Sequence, residues 1–428
     1  MADGGTTEPL AELEGPHHAS RGVSDERSEA GHVVAHDGVV TAPGRSGDTS
    51  VGSRSFAAVS YDPIAPYLQA LVTYGGSDLH LKSGSVPRLR IDGVLRPLDA
   101  PVMSADELLT VAERTMPRRV LADFQDSQEA DYAIEVPDVG RFRVNVFVGR
   151  GDTAMVLRRV SDVPPTLDEL GMPEIVGRMV LARRGLVVVS GPTGVGKTTT
   201  LAAMVDCINE SQSLHILTLE DPIDIVHRDK QSVVNQREVR ADTPDFKSAL
   251  RAAMRQDPDV ILIGEVRDAE TVQAMLQAAA SGHLVLTTLH SATAPEAISR
   301  IIEFFPPTEQ LSVRTALATT LRGVICQRLV DRADGKGRMA AVEILVNNTR
   351  MSDAISEGRS GDGLGDIIAD SEYYGMQTFQ QDLLRLVLEG TISVPVARAA
   401  STNLSDFDVA LRRMGIEPDA RSHVGVVA

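Results

Sequence analysis

Gly191-Pro192-Thr193-Gly194-Val195-Gly196-Lys197-Thr198 decides how the rest of this 428-residue chain is read. The spacing is G-x-x-x-x-G-K-[ST], that of a loop that cradles phosphate groups. Glycines let the backbone wrap a β-phosphate so that several N–H groups point inward. Lys197 is placed to reach the β- and γ-phosphates, and the Thr198 hydroxyl to coordinate Mg²⁺. The nucleotide-binding set is therefore Gly191, Pro192, Thr193, Gly194, Val195, Gly196, Lys197, Thr198 and Thr199. Context decides the specificity of such a motif. Leu186 to Val189 is a short apolar run of strand type before the loop. Lys197 to Asn209 follows it with Leu201, Met204, Val205 and Ile208 at helical spacing, bringing a positive helix end to the phosphates.

Downstream the pattern alternates. Leu214 to Leu219, Val260 to Ile263 and Leu284 to Leu289 read as strands. Thr243-Pro244 is expected to open a helix with Phe246, Leu250 and Met254 on its apolar face. Asp268 is expected to cap a helix that runs to Ser281 and stops at Gly282. Alternation of this kind predicts an α/β fold, a parallel sheet with helices on both faces. Ligands of such sheets sit beyond the carboxyl ends of the strands. Those ends here are polar: Glu220-Asp221-Pro222, Gly264-Glu265 and His290. Glu265 stands where a Walker B carboxylate belongs, holding Mg²⁺ through water or orienting the attacking water, so the metal set is Thr198 and Glu265. Glu220 is the candidate for polarising that water, and His290 for sensing the γ-phosphate. The structural alternative for each carboxylate is a helix N-cap or a loop charge; grouped beside a phosphate loop, the set points to catalysis. For His283 a structural and a functional role stand level.

The chain divides into five parts. Residues 1–60 are rich in Gly, Ser, Ala, Asp and Glu without apolar periodicity and are expected to be a disordered acidic tail. Residues 61–160 are expected to form a small α+β domain: a helix around Ile64 to Thr73, a hairpin from Val86 to Leu98 turning at Asp92-Gly93, and a helix from Ala105 to Met116. Strands follow at Asp131 to Val136, Arg141 to Val148 and Thr153 to Val160. Residues 161–170 are the linker, 171–345 the ATPase core, and 346–428 a mostly helical region interrupted by a glycine-rich loop from Ser360 to Gly365. The formal net charge of −17 repels DNA and anionic membranes at long range, so no nucleic-acid partner is expected. Cys207 and Cys326 are not paired in a Cys-x-x-Cys motif, so no zinc element is indicated. The N-terminus shows neither a basic nor an apolar leader segment, which predicts a cytoplasmic protein.

These motifs together resemble the secretion and pilus ATPases, most closely the type IV pilus retraction motors of the PilT type. The resemblance rests on the phosphate loop, the acidic box Leu217 to Ile223, the run Asn235 to Val239, and Asp257 to Asp268. It rests also on the histidine box Gly282 to His290, on Ser77 to Leu81 and Gly140 to Val146 upstream, and on Tyr374 to Phe379 downstream. It implies a RecA-like core behind a PAS-like domain, ATP with Mg²⁺, and a homohexamer. It further implies an inner-membrane platform partner and a place at the inner face of the cytoplasmic membrane. It also implies that arginines of the N-terminal domain help hold the phosphates, and the matching positions are Arg143, Arg150 and Arg158. Arg237, Arg251, Arg255 and Arg267 lie in or beside the same motifs, with action across subunits and plain ion pairing both open. Retraction members carry Ala-Ile-Arg-Asn-Leu-Ile-Arg where this chain reads Ala354-Ile355-Ser356-Glu357-Gly358-Arg359. An assembly or secretion motor, or a non-hydrolysing ring subunit, is therefore the alternative.

Overall fold

The computed structural model describes residues 40–41, 63–359 and 361–418. Most of the expected tail lies outside the described residues. Its one described piece, Val40–Thr41 (β1), pairs in parallel with Leu98 and Asp99. The N-terminal domain adds Asp78–Lys82 (β2), Arg88–Ile91 (β3), Val94–Asp99 (β4), Glu129–Val136 (β5), Gly140–Gly149 (β6) and Asp152–Arg159 (β7), in the order β1-β4-β3-β2-β7-β6-β5. The hairpin turns where expected. Asp92 and Gly93 both take positive φ, 50° and 78°, which matches the twist of the flanking strands. In β6, Phe142, Val144 and Val146 are buried while Arg143 and Asn145 alternate to the other side. The helices Ala65–Thr73 and Ala105–Thr115 share one core with these residues. A further helix, Arg118–Ser127, was not predicted; Phe124 is buried in the same core, with Val120 and Leu121 partly buried against it.

The second sheet carries the site. It is built from Gly185–Ser190 (β8), His215–Glu220 (β9), Val233–Glu238 (β10), Val260–Ile263 (β11), Leu284–Leu289 (β12), Leu321–Asp331 (β13) and Arg338–Val346 (β14). The order is β10-β9-β11-β12-β8-β13-β14, with every pair parallel except β13–β14. Helices cover both faces, and β8 shows why its run Leu186 to Val189 is apolar throughout. Leu186 and Val188 enter the core beneath the helices Phe246–Ala253, Ala269–Ala280 and Ala294–Glu303. Val187 and Val189 enter the opposite core with the helices Glu174–Val180 and Lys197–Ser211.

Two local expectations are corrected, and three strands come in addition to those expected. The helix expected from Thr243-Pro244 begins at Phe246, because Asp245 is its N-cap and accepts from the Ser248 N–H at 2.6 Å; Met254 falls at its end and is exposed. The glycine-rich segment is a loop only in part, since Asp362–Ala369 is a helix held by buried Leu364, Ile367 and Ile368. Strands β10, β13 and β14 were not read from the sequence. β10 is a half-exposed edge with the polar run Asn235 to Glu238, and β13 is broken by Gly323, Gln327 and Arg328.

Gly323 sits at an irregularity in the β13–β8 register. A Cβ there would run into Met179 Sδ and would lie 2.6 Å from the Leu345 carbonyl oxygen. Gly323→Ala is expected to destabilise the core by about 1–3 kcal/mol through overpacking, read as a lowered midpoint in denaturant unfolding. An unchanged midpoint would refute the overpacking argument.

Candidate nucleotide site

The register of the parallel strands brings the functional ends level. Leu289 pairs with Ser190, Ile263 with Leu219, and Ile263 also with Thr287. Gly191, Glu220, Gly264-Glu265 and His290 therefore leave the sheet at one edge. After β8 the chain turns sharply at Gly191, with φ +144°, where a Cβ would lie 2.6 Å from the Gln327 carbonyl oxygen and 2.9 Å from Val195 Cγ2. Gly196 caps the following helix in the left-handed region, φ +89°. Gln327 on β13 ties the loop from the other side: its Nε2 donates to the Val195 carbonyl at 2.5 Å, and its Oε1 accepts from Thr200 Oγ1 at 3.0 Å. Gln327 was missed in the sequence because β13 itself was not legible.

A cavity of about 580 Å³ opens at this edge. Thr193, Gly194, Gly196, Lys197, Thr198 and Thr199 line it together with Glu220, Asp221, Asp224, Gly264, Glu265 and His290. Gly191, Pro192 and Val195 shape the loop but do not line the cavity. Lys197 is buried. Its Nζ donates to the carbonyls of Gly191 at 2.7 Å and Pro192 at 2.9 Å, and lies 3.5 Å from His290 Nδ1. With Nδ1 facing an ammonium, the proton of the neutral ring belongs on Nε2, which lies 3.7 Å from Glu265 Oε2. Burial lowers the Lys197 pKa and the charge of Glu265 opposes that shift. Glu265 also pairs with Arg267, which lines the same cavity.

Glu220 is 9% exposed. Its Oε1 accepts from Thr218 Oγ1 at 2.6 Å and Gln236 Nε2 at 3.0 Å. Burial nonetheless pushes its pKa up to about 7, against the pull of Thr218, Gln236 and the Asp224 backbone. His227, which lines the same cavity, is pushed down to about 4 by burial and is neutral near pH 7. Gln236, Thr218, Asp224 and His227 were not singled out in the sequence; Gln236 lay inside the Asn235–Val239 run, but nothing in its spacing marked it.

The arginines of the N-terminal domain are placed differently. Arg143 donates to Asp224 Oδ1 at 2.8 Å and so touches the cavity wall from behind. Arg158 pairs with Asp78 within its own sheet, and Arg150 lies in the β6–β7 turn. None of the three lines the cavity. Arg255 donates to the Arg251 carbonyl, and Arg237 to the Asp242 carbonyl. His283 closes a helix end, with Nδ1 3.0 Å from the Ala278 carbonyl.

Residues 57–393 match the family described as type II/IV secretion system protein. The type IV pilus retraction ATPase PilT of Pseudomonas aeruginosa is 43% identical, over 76% of this chain and 94% of its own length. The chain belongs to the PilT family of pilus ATPases. The type IV pilus ATPase PilU of the same organism is 39% identical over 82% of this chain and 92% of its own. A crystal structure of the pilus retraction motor PilT with bound ADP superposes with a TM-score of 0.74 at 40% identity, covering 79% of this chain and 97% of that one. The RecA-like core and PAS-like domain expected from the sequence are those of this PilT-like fold.

The raised Glu220 pKa has a stability consequence. Between the ordinary 4.5 and about 7 the unfolded chain gives up this proton before the folded one does, so stability falls as pH rises through that window and stays lower above it. The penalty is on the order of 3 kcal/mol. Glu220→Gln removes it, and thermal unfolding of the protein without nucleotide should show the variant more stable than the parent at pH 8 and level with it near pH 4.5. Parallel pH profiles for the two proteins would refute the burial argument.

Proposed function

We propose that this chain is a motor that assembles as a homohexameric ring and couples ATP hydrolysis to type IV pilus retraction, the basis of twitching motility. The observation that carries this reading is the convergence of Lys197, Glu220, Glu265 and His290 on one cavity beside the phosphate loop. The loop N–H groups and Lys197 neutralise the phosphate charge. Glu220, dry and near neutrality in pKa, accepts a proton from the attacking water. His290, between Lys197 and Glu265, is placed to register the γ-phosphate.

The donor set suits Mg²⁺. Thr198 and Glu265 offer hard oxygen ligands in the one cavity, and no group of three His, Cys, Asp or Glu that would cage a metal occurs among the described residues. An ion held by few protein oxygens, with phosphate and water completing its shell, is the usual Mg²⁺ arrangement. When bound, Mg²⁺ offsets charge on the β- and γ-phosphates. Glu265 would hold its water shell. Positioning and charge stabilisation suffice for phosphoryl transfer, so no covalent intermediate on the protein is needed.

No helix among the described residues is long and apolar enough to cross a membrane. The motor is proposed to work at the inner face of the cytoplasmic membrane against a platform protein there, with the N-terminal domain of each subunit moving against the core as the γ-phosphate is bound and lost. An assembly motor is the second reading, because Ser356 and Glu357 are exposed where retraction motors carry arginine and asparagine.

Purified protein should hydrolyse ATP in a Mg²⁺-dependent way and elute as a hexamer. Lys197→Ala and Glu265→Gln should each cut kcat by at least about 100-fold. Near-parental turnover in either variant would sink the assignment. In the source cell, deletion should leave pili extended and immobile; a bald cell would instead establish the assembly role.

A further inference from the structure

A carboxylate that activates water has to be held in one orientation while still able to take a proton. Thr218 lies two residues before Glu220 on β9 and therefore on the same face, so it fixes the carboxylate against its own strand. Gln236 arrives from the neighbouring strand β10, in register with Thr218. Its amide does three things at once. Nε2 donates to Glu220 Oε1 at 3.0 Å and to the Ile225 carbonyl at 2.9 Å, while Oε1 accepts from the His227 N–H at 2.7 Å. One side chain thus bridges Glu220 and the segment Asp221 to Arg228, which supplies the cavity wall through Asp221, Asp224 and His227.

That segment is also gripped by the N-terminal domain and the linker. Arg143 on β6 bonds Asp224, the Val226 N–H donates to the Ser161 carbonyl at 2.9 Å, and Arg228 pairs with Asp162 at 2.8 Å. Gln236 sits between those ties and the carboxylate. An amide is the group that fits, because the position needs donors on one side and an acceptor on the other. Glutamate would keep the acceptor for His227 but set a like charge against Glu220. Methionine would keep the length and lose all three bonds.

We propose that Gln236 is a positioning residue for hydrolysis, holding the Glu220 carboxylate and the 221–228 segment in a single arrangement. The proposal rests on the reading of Glu220 as the residue that prepares the water. The full-length chain is assayed for kcat and KM, and for affinity toward a fluorescent ATP analogue, in Gln236→Met, Gln236→Glu, Glu220→Gln and the double variant Gln236→Met/Glu220→Gln. Gln236→Met should lower kcat at least about tenfold, and Gln236→Glu further, with nucleotide affinity kept within about threefold. The double variant should be no slower than Glu220→Gln, because a residue that acts through Glu220 has nothing left to act on. If Gln236→Met keeps parental kcat while Glu220→Gln is inactive, the proposal is overturned and the reading of Glu220 stands. If Glu220→Gln itself turns over at the parental rate, that reading falls. Additive losses in the double variant, or affinity lost in step with kcat, would make Gln236 a structural support only and equally overturn the proposal. Gln236→Glu keeps the His227 bond and carries the same comparison if the methionine variant does not fold.

Discussion

Parallel strand register is the constraint on which the rest depends. β8, β9, β11 and β12 are hydrogen-bonded so that they end within two residues of one another. Each then delivers a different chemical group to the same edge: a curled loop, a dry carboxylate, a second carboxylate and an imidazole. Slipping one strand by a single residue would turn its buried side chains to the opposite face and withdraw its polar end from the site. The burial of both faces, with Leu186 and Val188 on one side and Val187 and Val189 on the other, makes such a slip costly. The chemistry of the cavity is thus secured by apolar packing several ångströms away from it.

Two charges are then kept nearly out of water, and each is handled by a different means. Lys197 retains its ammonium by donating to two backbone carbonyls of the loop it belongs to. Glu220 is held by hydrogen bonds from Thr218 and Gln236 and still has its ionisation pushed into the neutral range. A buried carboxylate of that kind destabilises the fold at working pH while making a better proton acceptor than an exposed one, a common exchange of stability for function.

The segment after Glu220 joins the two domains physically. β6 reaches it through Arg143 and Asp224, and reaches the neighbouring β10 through Arg141 and Glu238, 2.9 Å apart with Glu238 buried. Glu238 in turn accepts from the Ile223 N–H at 3.3 Å. The wall of the nucleotide cavity and the contact face of the N-terminal domain are two sides of one short stretch of chain.

Much was legible from local pattern alone. The phosphate loop, four strands of the core and their polar tips, and the Asp92-Gly93 hairpin follow from spacing, apolar periodicity and turn chemistry, which are properties of neighbours in the chain. What stayed hidden depended on neighbours in space. β10 carries a polar run at one sheet edge and β13 an interrupted apolar pattern, and the strand state of both, with that of the antiparallel β14, comes from the neighbours they pair with. The roles of Gln327 and Gln236 exist because strands far apart in sequence lie side by side. The linear chain determined that a phosphate loop and three polar strand tips would exist. Only the tertiary structure decided that they share one cavity, that Arg143 meets it through Asp224 while Arg150 and Arg158 do not, and that glutamines from β10 and β13 hold it. Side-chain hydrogen bonds act over about 3 Å, and no sequence spacing encodes that distance.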